Sequence, residues 1–200
     1  MVEARADEIL RFWFGAGDAA ARKRWFTPDP AFDEEIRRGF AADAERAARG
    51  ELDAWASDPR SALALVILLD QFPRNVHRGT ELAFAQDERA LRVTRAAIAA
   101  GHDRALSPVE RAMFYMPLMH SEDREVQRQS LAVFRALADD AVRAGTPPEV
   151  LDYVRMAQEF AGKHAVIIER FGRYPHRNAV LGRTSTGDEV EFLHEPGSRF

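Results

Sequence analysis

Apolar residues recur along this chain at intervals of three and four, the mark of helices that turn one face to a core. Ile9, Leu10, Trp13 and Phe14 share one side of a segment from Glu3 to Phe14, and Gly15 is placed to end it. Phe32, Ile36 and Phe40 mark a second helix that Pro30 opens, with Asp33, Glu34 and Glu35 near its positive end, running toward Gly50. Asp58-Pro59 begins a third. Its stretch from Leu63 to Leu69 is apolar on every side, so it belongs in the interior. A fourth is predicted from Glu81 to Ala100, capped by Thr80 and stopped by Gly101.

Ser107-Pro108-Val109-Glu110 has the spacing of a capping box with Pro at the first helical position. The fifth helix it opens runs to about His120, with Pro117 expected to kink or shorten it. A sixth begins near Ser121, which reads as an N-cap followed by Glu122 and Asp123, and ends at Gly145. Thr146-Pro147-Pro148-Glu149 repeats the capping-box spacing ahead of a long seventh helix ending near Gly172. The tail from Arg173 reads as irregular, with one helical turn after Asn178 and another around Asp188 to Leu193. No segment alternates as a strand does, and no linker divides the chain. The prediction is an all-α protein, an antiparallel array of about seven to nine helices. It is read as a single domain over 1–200, with 173–200 as a tail packed on it.

Composition narrows the function classes. Hydrophobic residues make up 46% of the 200 and charged residues 30%, a globular balance with enough apolar mass for a core. The net charge of −4, with acids and bases interleaved, argues against nucleic acid as the main partner. The chain has no cysteine, which removes disulfides, thiolate metal sites and cysteine nucleophiles. The early acids Glu3, Asp7 and Glu8 are unlike a signal peptide, and the longest apolar run, Ala62 to Leu69, is too short to span a bilayer. A cytoplasmic protein without a membrane partner is expected.

Four places are harder to explain by patterning. Asp70 ends an otherwise apolar helix, so it needs a cation or several donors; Arg74, four residues on, can serve only if the helix survives Pro73. The plain alternative there is a structural salt bridge. His120 falls on the inward stripe four residues after Met116, beside Glu122. His164 sits on the apolar face formed by Tyr153, Ala157, Phe160 and Ile167, where a lone histidine is most often a hydrogen-bonded core residue. Last, Arg170, Arg173, His176, Arg177, Asn178 and Arg183 crowd the end of the seventh helix and the loop beyond it. Arginines there can answer the helix dipole, but so many can also form a fork for a carboxylate or phosphate. Phe72-Pro73-Arg74-Asn75 and Tyr174-Pro175-His176-Arg177-Asn178 echo each other, each stiffened by proline ahead of Arg and Asn.

These places also carry a resemblance. The stretches LLDQFPRNVHRGT, AFAQDERAL, MFYMPLMHSED and IIERFGRYPHRNAVLGRTST, with ILRFWFG and Arg24-Trp25-Phe26, resemble the bacterial domain-of-unknown-function 924 family. His77 stands where an aromatic residue often precedes Arg-Gly. The resemblance implies a helical fold similar to tetratricopeptide-like superhelices and brings no activity with it. Its motif positions are Asp70, Gln71, Pro73, Arg74, Asn75, His120, Ser121, Glu122, His164, Arg170, Arg173, His176, Arg177, Asn178 and Arg183.

Three functional readings follow. The first is a ligand-binding module for a small anion or a peptide carboxylate. Arg74, Asn75, His164, Arg170, Arg173, Arg177, Asn178 and Arg183 supply its polar contacts, and Trp13, Trp25 and Phe72 its apolar walls. The second is a buried structural network in which Asp70, Arg111, His164 and Arg170 satisfy each other. The third is a hydrolase with His120 or His176 as general base, oriented by Glu122 or Asp70, and the arginines stabilising developing negative charge; a metal version would use the histidines and Glu122 as ligands. The histidines and Glu122 match no metal-binding template, so no metal or other cofactor is predicted.

Overall fold

In the computed structural model, which describes residues 2–15 and 19–198, every regular element is helical. The chain contacts gather into two compact units. One comprises Met1–Arg78 with Leu82–Pro117, the other Gly79–Glu81 with Leu118–Phe200.

The first unit is built around α4 (Pro59–Val66), on which α1 (Val2–Phe14), α6 (Asp87–Ala99) and α7 (Pro108–Phe114) pack. Ala62 to Leu69 are buried throughout, as a stretch apolar on every side requires. Asp58 caps α4 by accepting from the N–H groups of Arg60 and Ser61, both at 3.1 Å. Asp29 does the same for α3 (Pro30–Ala48). Ser107 and Glu110 form the capping box that their spacing predicted.

Beyond α4 the helix continues through one π turn, Ile67–Gln71, into the short α5 (Phe72–Val76). Pro73 gives the reason. It has no N–H to donate, and its ring would strike the carbonyl four residues back, so the chain widens by one residue rather than stopping. The Phe72 N–H reaches the Ile67 carbonyl instead. Helical direction therefore survives the proline.

Two elements depart from expectation. A helix α2, Ala19–Phe26, lies where none was predicted. Its anchor is tertiary: Trp25 stacks on Trp13 at 5.9 Å and donates its indole N–H to the Trp13 carbonyl at 2.8 Å. The predicted start at Glu81 is a 3-10 turn, Glu81–Ala83, and α6 begins only at Asp87. Trp13, Trp25 and Phe72, expected to line a ligand, are packed into the core of this unit, with Trp13 and Phe72 5.6 Å apart.

The second unit takes in the end of α8 (Met116–His120), then α9 (Arg124–Arg143), α10 (Pro148–Phe171) and α11 (Gly187–Phe192). The chain breaks at Tyr115 ahead of Pro117, as that proline predicted. Asp123, not Ser121, caps α9; it accepts from Glu125 at 2.7 Å and Val126 at 3.0 Å. No side chain caps α10, because the helix starts at Pro148, which leaves Thr146 one residue too early for a box with Glu149. Gly172, at φ +70°, turns the chain out of α10 in the left-handed conformation. In the tail, Tyr174 and Phe192 close a small core with Ile167 and Ile168. The helical turn expected after Asn178 forms earlier, at Pro175–Arg177. Among the described residues there is no strand, and no helix is long and apolar enough to cross a membrane.

Candidate functional site

The predicted polar residues fall into two groups, one in each unit. In the first unit the π turn places Asp70 at the base of α5, fully buried, one turn below Arg74. Arg74 Nη1 reaches Asp70 Oδ1 at 3.0 Å, the Asp70 carbonyl at 2.8 Å and Asp87 Oδ1 at 2.9 Å, and its Nη2 donates to Asp87 Oδ2 at 2.9 Å. Gln71 Nε2 donates to Asp70 Oδ2 at 2.5 Å. Asn75 is buried beside them in sequence. This group is a buried ion-pair network, and Asp87 is the member that sequence reasoning missed. Arg111 lies by Tyr115, whose hydroxyl donates to Asp103 at 2.5 Å. Burial and that carboxylate push the Tyr115 phenol well above its ordinary range.

In the second unit two more arginines are taken up by carboxylates. Arg173 grips Glu189 with both arms, at 2.6 and 2.7 Å, and Asn178 donates to Ser185 and to the same carboxylate. The Arg173 contact, with help from the Thr186 N–H, holds Glu189 down to about 2. Glu189 also completes the capping box of α11. Arg183 grips Glu122 at 2.7 and 3.0 Å, and the Tyr174 N–H donates to Glu122 at 2.8 Å. Burial opposes the charge on Glu122, but these donors outweigh it and leave its carboxyl below the usual range. Arg170 lies half exposed over the Phe171 ring at 4.6 Å, 3.9 Å from Glu195.

What remains is an imidazole and guanidinium cluster around Tyr174. The His164 ring centroid lies 5.5 Å from that of Tyr174 and 6.0 Å from that of His120; His176 lies 5.6 Å from Tyr174 on its own loop. Arg177, buried, sits 4.6 Å over the Tyr174 ring. The fold supplies each placement. His120 ends α8, His164 lies on the inward face of α10, and Pro175 starts the 3-10 turn that carries His176 and Arg177. Tyr174 itself is fixed by its hydroxyl, which donates to the Met119 carbonyl and accepts from Gln127 Nε2 at 2.9 Å.

His164 reports the electrostatics of this cluster. Its Nδ1 stands 2.8 Å from the Phe160 carbonyl, which can only accept, so Nδ1 carries the proton. Burial pushes the ring down to about 3, and the charges of His120, Arg177 and His176 push the same way. The field at this ring is cationic. Among the described residues no group of three or more His, Asp or Glu side chains is arranged to hold a metal ion. Tyr174, central to the site, went unselected in the sequence, although Tyr-Pro ahead of a basic run was the signal available.

No curated protein matches the chain. A solved structure of a protein of unknown function from Agrobacterium tumefaciens is 38% identical and superposes with a TM-score of 0.81, over 97% of this chain and 99% of that one. The family model described as bacterial protein of unknown function, DUF924, matches residues 9–197, a span that holds all the groups above. The chain is therefore a member of the DUF924 family.

Proposed function

We propose that this protein is a ligand-binding helical module whose anion site is the cluster of His120, His164, His176 and Arg177 around Tyr174. The observation that carries the reading is convergence. Two imidazoles, His164 and His176, and the Arg177 guanidinium meet the single buried Tyr174 ring, and a third imidazole, His120, lies 6.0 Å from His164. A small anion, a phosphate or a carboxylate, suits such a field, and the partly exposed His120 and His176 stand where it would be met first. Arg74, Arg173 and Arg183 serve the fold rather than the ligand in this reading. The hydrolase alternative asks Glu122 or Asp70 to orient an imidazole, and both carboxylates are held by arginines. A tetratricopeptide-like superhelix and a cytoplasmic location belong to the same proposal. The hairpin of α9 and α10 supports the first, and the low, interleaved charge the second.

Inorganic phosphate and acetate, titrated against the full chain, test the site by thermal shift. The expected result is stabilisation of the wild type by one of them, lost in His176→Gln with the ligand-free melting temperature unchanged. Equal stabilisation of wild type, His120→Gln and His176→Gln would remove the cluster from the site.

A further inference from the structure

Away from that cluster, α9 and α10 share an outer face that carries apolar surface. Val166 is 68% exposed and Leu131 40%. Between them runs a groove of about 380 Å³, lined by Arg124, Arg128, Leu131, Gly162, Val166 and Glu169 among others. A side-chain carbon built on Gly162 would meet no atom within 4 Å, so the groove has a hollow at the glycine. At its floor Gln127, 3% exposed, turns its amide nitrogen to the Met119 and Ser121 carbonyls and the Tyr174 hydroxyl and leaves its Oε1 without a partner. The face thus pairs a knob, Leu131, with a hollow, Gly162.

Its charges are arranged in the same way. Arg124 donates to the Glu169 carbonyl at 3.1 Å, so the start of α9 lies beside the end of α10, and Arg128 follows one turn along. Consider a two-fold axis parallel to these helices. It would lay α9 of one copy on α10 of the other in matching order, because the two helices are antiparallel neighbours. Leu131 would then fall over the hollow at Gly162, and Arg124 and Arg128 over Glu169, twice in each assembly. The product is a four-helix arrangement with a knob in a hole at each half. Helices of this length, about 30 Å and packed ~10 Å apart, present roughly 600 Å² in projection. That is of the order of the ~800 Å² per partner that a stable dimer buries. We infer that the α9–α10 face is an interface for a second copy of this chain.

The chain mass in solution, by light scattering after size exclusion, is the direct test. The proposal expects twice the 22.5 kDa of one chain, falling to one chain in Gly162→Leu and in Leu131→Arg while helical content is kept. The Cβ of Gly162→Leu meets nothing in its own chain, and leucine favours the helix more than glycine does, so loss of folding is not expected. The absence of native cysteine permits a second readout. Leu131→Cys mixed with Gly162→Cys should form a mixed disulfide on mild oxidation, and each variant alone far less. A monomer at every concentration, or a dimer that survives both Gly162→Leu and Leu131→Arg, would overturn the assignment; a monomer would leave the groove to another protein's helix.

Discussion

The two copies of the aromatic-Pro-Arg-Asn echo end in opposite electrostatic states. At Phe72-Pro73-Arg74-Asn75 the proline follows a π turn, and the arginine one position on closes onto Asp70 and Asp87. At Tyr174-Pro175-His176-Arg177-Asn178 one histidine is inserted, the proline opens a 3-10 turn, and the arginine comes to lie over its own aromatic residue. The first motif has two carboxylates for one cation. The second lies near three imidazoles, and the carboxylate beside it, Glu122, is shared with Arg183. The stiff dipeptide fixes where the arginine leaves the backbone; what surrounds that exit decides whether the result is a brace or a site.

Breaking the brace should give the largest effect. Arg74→Met keeps much of the side-chain volume but removes the guanidinium 3.0 Å from the carboxylate of Asp70, which is 0% exposed. A buried charge stripped of its partner costs about 3–5 kcal/mol, and urea unfolding should read that loss. A loss below about 1 kcal/mol, the level of a surface pair, would mean that Asp70 is not held as described.

How much of this was legible in the sequence varies with the distance over which the cause acts. The caps at Asp58 and Ser107 and the inward face of α10 depend on neighbours within a turn or two, and the sequence displays them. The link of Asp70 to Arg74 was visible as a spacing but hung on Pro73, because a one-residue widening of the helix leaves no mark in the pattern. The α2 helix was invisible for a related reason: its Ala-Arg-Lys stretch has little periodicity, and it is held by an indole bond to Trp13. Least legible were the counter-charges. Glu122 and Arg183 are 61 residues apart, and nothing in either segment names the other. Glu189 is different, since Thr186-x-x-Glu189 has the readable spacing of a capping box.

The cationic site should answer to pH more gently. His164 protonates at its ordinary 6.5 when the chain is unfolded and only near 3 when folded. Between those values the unfolded state binds the extra proton. Stability should therefore be complete above 6.5 and decline as pH falls toward 3, by at most about 1.4 kcal/mol per pH unit. His164→Asn keeps a donor near the Phe160 carbonyl but has no group to titrate. Its stability curve against pH should be flatter than the wild type's across that window, the carboxylates contributing equally to both. Parallel curves would show that the ring is not held neutral by its surroundings.

The smallest change that still separates the two motifs is the loss of one oxygen. Tyr174→Phe keeps the ring beneath Arg177 and between His164 and His176, and removes only the hydroxyl that bridges Gln127 and the Met119 carbonyl. Gln127 Nε2 already stands 2.9 Å from that carbonyl, so no buried acceptor is left bare. The stability cost should be about 1 kcal/mol, the net worth of one internal hydrogen bond. Phe72 occupies the corresponding place in the first motif without any hydroxyl, and its arginine is positioned by carboxylates rather than by a ring. If the ring face alone organises the second cluster, phosphate or acetate should stabilise Tyr174→Phe as much as the wild type. If stabilisation disappears while the cost stays near 1 kcal/mol, the hydroxyl sets the position of the ring, and the cluster depends on its anchor at Met119 as well as on its charges.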